Sequence, residues 1–188
     1  MIKPLITMLW LALSPALFME VPPANMMRDQ RNQKIAIMNK TMSLTGKQTI
    51  IRLYEEVLNK RNWNLLNELI SAEAPGKGGK NGVEGFLAPL AELVAAFPDA
   101  QWKLIAVYED GDRIIVKQQL TGTHNGVFQG IAATGRKVVN NGIAIYQVSN
   151  GKILAHEVQT DRLGFLQELG ILPHDLNELI TGKAANNK

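Results

Sequence analysis

Apolar residues recur along this chain at two different periods, and the change from one to the other divides it. Thr45 stands as an N-cap ahead of Ile50, Ile51, Tyr54, Val57 and Leu58, which follow helical spacing and predict a first helix to about Asn59. Asn62 then opens a second, short helix whose apolar side is Trp63, Leu65, Leu66, Leu69 and Ile70. The run Ala74–Gly82 is a loop by its glycine, lysine and proline content. A third helix presents Phe86, Leu87, Leu90, Leu93, Val94 and Phe97 on its inner face and stops at Pro98.

Beyond Pro98 the period falls to two. Trp102, Leu104, Ala106 and Tyr108 alternate with Lys103, Ile105 and Val107 in a first strand, closed by an Asp110-Gly111 turn. Ile114, Val116, Gln118 and Leu120 share a face of the second strand, which ends near His124. A glycine-rich connection, 125–135, leads to a third strand from Lys137 to Val148, an Asn150-Gly151 turn and a fourth strand from Lys152 to Thr160. A last short helix covers Leu163 to Leu169 and closes at Gly170. Helices first and strands afterwards imply an α+β fold. The strands are long enough to curve strongly around the helices as a cone, and the open end of such a cone is a natural small-molecule pocket.

Charge narrows the function classes. The net charge is +3, but residues 1–48 hold six basic residues against Glu20 and Asp29, so residues 49–188 carry about −1. A near-neutral body without a basic stripe is a poor nucleic-acid binder. There is no cysteine, which removes disulfides, thiolate metal sites and a thiol nucleophile. Residues 1–24 have the outline of a signal peptide: Lys3, a short apolar core from Leu5 to Leu13, and Ser14-Pro15-Ala16 before a cut. The competing reading is a start at one of Met26, Met27, Met38 or Met42. The protein is exported, periplasmic or secreted, in the first case and cytoplasmic in the second. The core is too short and too interrupted for stable membrane insertion. Residues 25–43 are expected as a loose linker, 44–172 as the domain and 173–188 as a tail.

Several motifs resemble a known family. They are Phe97-Pro98-Asp99, Glu109-Asp110-Gly111-Asp112, the block Gly122-Thr123-His124-Asn125-Gly126 continuing to Gly135-Arg136, then Gly142-Ile143 with Tyr146, Asn150-Gly151-Lys152-Ile153, Asp161 and Leu166-Gln167-Glu168-Leu169-Gly170. In this order and spacing, residues 45–172 resemble the SnoaL-like polyketide cyclases of the nuclear-transport-factor-like superfamily. The resemblance implies a cone-shaped fold and an intramolecular aldol closure of a polyketide methyl ester without a cofactor. A carboxylate near the end of the last strand is implied as acid/base, with histidine polarising the carbonyl. Two departures touch the implied pocket. Ser71–Gly76 is short and lacks the histidine that relatives carry there, and Ala155-His156-Glu157 stands where relatives have Glu-His-Trp.

Each candidate has a structural alternative. Asp161 matches the family's aspartate as a proton-transfer group, and it also directly precedes a helix, where aspartate serves as an N-cap. His124 is placed to polarise a carbonyl, or else to hold its own loop. His156 and Asp161 have opposite strand parity, so they meet only through a bulge or an early strand end. Tyr54, Trp63, Phe97, Trp102, Gln118 and Tyr146 are candidate substrate-binding residues, with core packing as the alternative for Trp63, Phe97 and Trp102. No histidine pair has metal-ligand spacing, so no metal is expected, and the resemblance implies no cofactor. The expected protein is an acid/base enzyme acting on a hydrophobic carbonyl or ester compound; the alternative is a non-catalytic small-molecule binder. A homodimer is expected in either case.

Overall fold

A computed structural model of the chain describes residues 24–42 and 44–181. The signal-peptide expectation falls on residues 1–23, outside this range apart from Ala24. Two compact units, Met1–Asn39 and Lys40–Lys188, divide the chain. Residues 25–43, expected as a loose linker, hold helix α1 (Ala24–Met42). Its Met, Arg, Gln and Lys content has good intrinsic helix propensity, so it forms without the apolar stripe on which the linker reading relied. No described helix is long and apolar enough to cross a membrane.

The second unit begins with α2 (Gly46–Arg52), opened by the expected cap. Thr45 Oγ1 accepts from the Gln48 N–H at 3.2 Å, and Gln48 Oε1 accepts from the Thr45 N–H at 3.0 Å, a reciprocal capping box. The helix runs on as a π-helical segment, Leu53–Leu58, in which the Asn59 N–H reaches the Tyr54 carbonyl. This wider turn points Leu53, Tyr54, Val57 and Leu58 into the interior together. The second expected helix is a 3₁₀ turn, Trp63–Leu65, followed by one α turn, α3 (Leu66–Leu69). Helix α4 (Gly82–Ala96) carries Pro89 within it and ends before Phe97-Pro98, as the sequence requires.

Four strands follow: β1 (Gln101–Asp110), β2 (Arg113–Thr123), β3 (Lys137–Ser149) and β4 (Lys152–Thr160). They form one antiparallel meander in the order β1-β2-β3-β4. The inner face takes Ile114 and Val116 from β2 and Val138, Ala144, Tyr146 and Val148 from β3, all buried. Helix α5 (Arg162–Glu168) closes the domain, and the expected tail contains one more helical turn, α6 (Asn177–Ile180).

The register shifts twice, each time by one residue. Leu104 pairs with Gln118 but Ala106 with Lys117, so Ile105 is the extra residue of a bulge. Regular alternation therefore fails past Leu104: Val107 and Glu109 come level with Val116 and Ile114, and Tyr108 stands 63% exposed on the outer face. On the other edge Gln147 pairs with Ala155 but Val148 with Ile153, which makes Leu154 the extra residue.

Both edges of the sheet are held by the helical region. Ile70 bridges to Ile153 in parallel, and the Ser71 N–H donates to the Ile153 carbonyl at 2.9 Å. On the β1 edge, Asn59 acts as a strand in miniature: its Nδ2 donates to the Trp102 carbonyl and its Oδ1 accepts from the Trp102 N–H, both at 2.8 Å. Satisfying an edge in this way both stabilises it and blocks further pairing. Asn59→Ala removes two hydrogen bonds and is expected to destabilise the domain by about 2 kcal/mol; urea unfolding measures it, and an unchanged midpoint would show that the clamp carries no stability.

Candidate active site

The helices do not fill the space under the sheet. A cavity of about 400 Å³ opens between the π-helical segment, α4, the inner face of all four strands and the start of α5. Most of its wall is apolar and aromatic, with Leu58, Phe86, Leu90, Trp102 and Phe128 among the lining residues. Trp102 is fixed from behind by Arg61, whose guanidinium lies 5.4 Å from the ring centroid and donates to the carbonyls of Leu58 and Ala100.

Four sets of polar groups reach this wall. The hydroxyls of Tyr54 and Tyr146 meet at 3.0 Å, one from the π segment and one from β3, and both rings line the cavity. Burial holds both phenols protonated: desolvation raises Tyr54 far above the ordinary tyrosine range, with Tyr146 adding to the rise, and pushes Tyr146 up to about 12 against a smaller opposing pull from Tyr54. Two hydroxyls sharing one hydrogen bond leave one O–H free to donate elsewhere.

His156 lies beside them. Its ring stacks on Tyr146 at 6.2 Å between centroids and meets the edge of Phe86 at 4.7 Å. Desolvation lowers its pKa below the ordinary histidine value, so the ring is neutral at pH 7. Its Nδ1 is enclosed and has no hydrogen-bond partner. Gln118 and Asn140 form a third polar feature on the wall, and their side-chain oxygens also lack partners. Around the mouth stand Lys77, Glu92 and Arg162. There the Gln129 N–H donates to Glu92 at 3.2 Å, and Arg162 donates to Gln129 Oε1 at 2.8 Å, tying the loop after β2 to α4 and α5.

The cavity thus gathers Tyr54, Trp102, Gln118, Tyr146 and His156 of the residues expected from sequence. The others sit elsewhere. Trp63 is half-buried and packs against the core. Phe97 is fully buried in an aromatic cluster with Phe128 and Phe165. His124, also fully buried, stacks on Phe97 at 4.9 Å. Its Nδ1 accepts from the Thr134 N–H at 3.2 Å and lies 3.1 Å from the Thr134 hydroxyl. Desolvation lowers its pKa against a smaller opposing contribution from the Gly126 backbone. The ring pins the two ends of its own loop together, the alternative weighed for it above. Asp161 is exposed at the N-cap of α5, where its Oδ1 accepts from the Gly164 N–H at 2.8 Å. It is not among the lining residues.

Asn140 is the wall residue that sequence reasoning missed. The signal was present: Val138, Asn140, Gly142, Ala144 and Tyr146 share one parity in β3, so a strand that turns Tyr146 inward also turns Asn140 inward. Among the described residues no group of acidic or histidine side chains could hold a metal ion.

Three comparisons bear on this arrangement. The family model for SnoaL-like polyketide cyclase matches residues 48–169. The aklanonic acid methyl ester cyclase DauD of Streptomyces sp. (strain C5) is 34% identical over 90 residues, 47% of this chain and 56% of that protein, so the match spans little more than half of the relative's length. Wild-type IdmH from Streptomyces antibioticus superposes with a TM-score of 0.59 at 27% identity, covering 68% of this chain and 99% of IdmH. TsrD from Streptomyces laurentii, at 23% identity, shares the fold with a TM-score of 0.61 over 67% of this chain and 95% of its own. With the family model matching well over half its residues, the chain belongs to the SnoaL-like polyketide cyclase family.

Proposed function

We propose that this chain is a cofactor-free acid/base enzyme that closes a ring in a hydrophobic carbonyl or ester compound, with His156 as the proton-transfer group. One observation carries the reading: a neutral imidazole shares a mostly apolar cavity with a pair of protonated tyrosine hydroxyls. The imidazole takes the proton from the carbon between two carbonyl groups. The enolate oxygen that forms accepts a hydrogen bond from the free O–H of the tyrosine pair, which preorganises charge stabilisation where charge develops. The enolate carbon attacks a second carbonyl of the same molecule, and the imidazolium returns its proton to the new alkoxide. No atom is gained or lost, and nothing outside the chain is required.

The expected assignment of proton transfer to Asp161 has less support. Its carboxylate is exposed, stands outside the cavity lining, and already accepts from the Gly164 N–H as the cap of α5. The test compares both residues on aklanonic acid methyl ester, the compound named for DauD, with product followed by chromatography. His156→Gln is expected to lower kcat by about 10²-fold or more with the fold retained. Asp161→Asn keeps the capping oxygen and is expected to leave both stability and turnover nearly intact. The opposite pattern would move the chemistry to Asp161. Binding without turnover by the unaltered chain would leave the non-catalytic binder as the function.

The pH dependence has a definite sign. The active form is the neutral ring, so activity is present above the His156 pKa and lost as pH falls through it. Because burial lowers that pKa, the acid limb of kcat/KM is expected below the ordinary histidine value. A limb at or above that value would contradict the assignment. The expected homodimer belongs on the outer sheet face, where Tyr108, Ile143 and Ile145 stand exposed. Sedimentation as a monomer at every concentration would remove it.

A further inference from the structure

The wall formed by β2 and β3 contains a polar notch in an apolar surface. Leu104, Gln118, Gly142 and Thr160 lie in one row across the four strands, and Asn140 stands diagonally beside Gln118. Diagonal neighbours of this kind lie about 7–8 Å apart. Gly142 floors the notch. A Cβ there would come within 2.9 Å of the Gln159 carbonyl and 3.1 Å of the Thr160 methyl, and 3.5 Å from Gln118 Nε2, so a larger residue would crowd the row.

Gln118 is only 7% exposed, yet its Oε1 has no hydrogen-bond partner, and the same is true of the enclosed Oδ1 of Asn140. Two enclosed amide oxygens left unpaired in one wall are destabilising, and an apolar pair of the same shape would fold better. Such groups persist where a ligand completes them. A hydroxyl is donor and acceptor at once, so it pairs with an amide in either of its two orientations.

We infer that the Gln118–Asn140 notch is a specificity subsite that recognises free hydroxyl groups on a fused polycyclic ligand, at the end remote from the reacting carbonyl. The inference rests on the reading of the cavity as the substrate site. Gly142 and Tyr146 are four residues apart on β3, which places the notch about 14 Å along the wall from the His156–Tyr146 end. A fused ring system spans that distance and a single ring does not. Aromatic faces suited to a flat body stand at both ends of this span: Phe86 meets His156 at one, and Trp102 is level with Asn140 across Leu120 at the other.

The test uses three flat ligands and equilibrium dialysis. Anthraflavic acid is an anthraquinone with one free phenol on each outer ring; its dimethyl ether keeps the oxygens but has no donor; anthraquinone has neither. At a pH below the phenol pKa, the full chain is expected to bind anthraflavic acid roughly tenfold or more tighter than either other ligand. In the Gln118→Met/Asn140→Leu double variant that preference is expected to vanish while anthraquinone affinity stays unchanged. The variant's Tm is expected to rise, because two unpaired amides are gone. Equal affinities for the three ligands, an undiminished preference in the double variant, a fall in its Tm, or no binding of any of them would overturn the subsite. His156→Gln separates this inference from the catalytic reading, since it should lower turnover sharply and leave the preference intact. A preference without turnover in the unaltered chain sinks the catalysis alone; turnover without a preference sinks the subsite alone.

Discussion

Everything in the cavity depends on one extra residue in β4. Ile153 is fully buried against the core, and a regular strand from there would turn Ala155, Glu157 and Gln159 inward. That register would place a carboxylate under the sheet with no cation to meet it, at a cost of several kcal/mol. The bulge at Leu154 resolves the conflict. Ile153 stays inside, and beyond it His156, Val158 and Thr160 face the cavity while Glu157 and Gln159 face solvent. The imidazole therefore reaches the interior because burial of an isoleucine and exclusion of a glutamate cannot both be met by an uninterrupted ladder.

The same balance explains why a cavity remains. Inner-face positions that could fill it carry small residues, Gly142 and Ala144, at the centre of β3. The Tyr54–Tyr146 contact spans from helix to sheet and braces the two walls apart, and the Asn59 and Ile70 anchors fix the helical region at opposite edges. Beside the cavity Phe97, His124, Phe128 and Phe165 pack as an aromatic cluster, of which Phe128 and Phe165 form part of the cavity wall. His124 is fully buried in that cluster and bonds to Thr134 of its own loop, whereas His156 lines the cavity, so the two histidines have different work.

Much of this was legible in the sequence. The change of period after Pro98 located every strand to within two residues at each end, and the caps at Thr45 and Gly170 fell where expected. Side-chain direction was less legible, for one physical reason: parity holds only while a ladder is regular. Tyr108 and His156 each lie beyond a bulge, and each faces the opposite way from simple alternation with Leu104 and Ile153. A bulge is set by tertiary demands on both sides of a strand, which a single strand's sequence does not display. Asn140 lies on an uninterrupted stretch and could have been found. Helix α1 was missed for a different reason, since propensity without periodicity looks the same as a polar linker.

The character of the interior also constrains the chemistry. Its polar groups are phenols, amides and an imidazole, all neutral, while the charged residues Lys77, Glu92 and Arg162 are confined to the mouth. A fixed internal carboxylate would stabilise a cationic intermediate and oppose an anionic one. An interior of neutral donors does the reverse: it accepts a neutral ligand without a desolvation penalty for its own charges, and it stabilises negative charge only once that charge has formed. In the proposed reaction, proton transfer from carbon to His156 would create an imidazolium and an enolate side by side, in a mostly apolar space where each stabilises the other. Such a site is therefore matched to reactions that begin and end neutral and pass through an ion pair, which is what an internal aldol closure does.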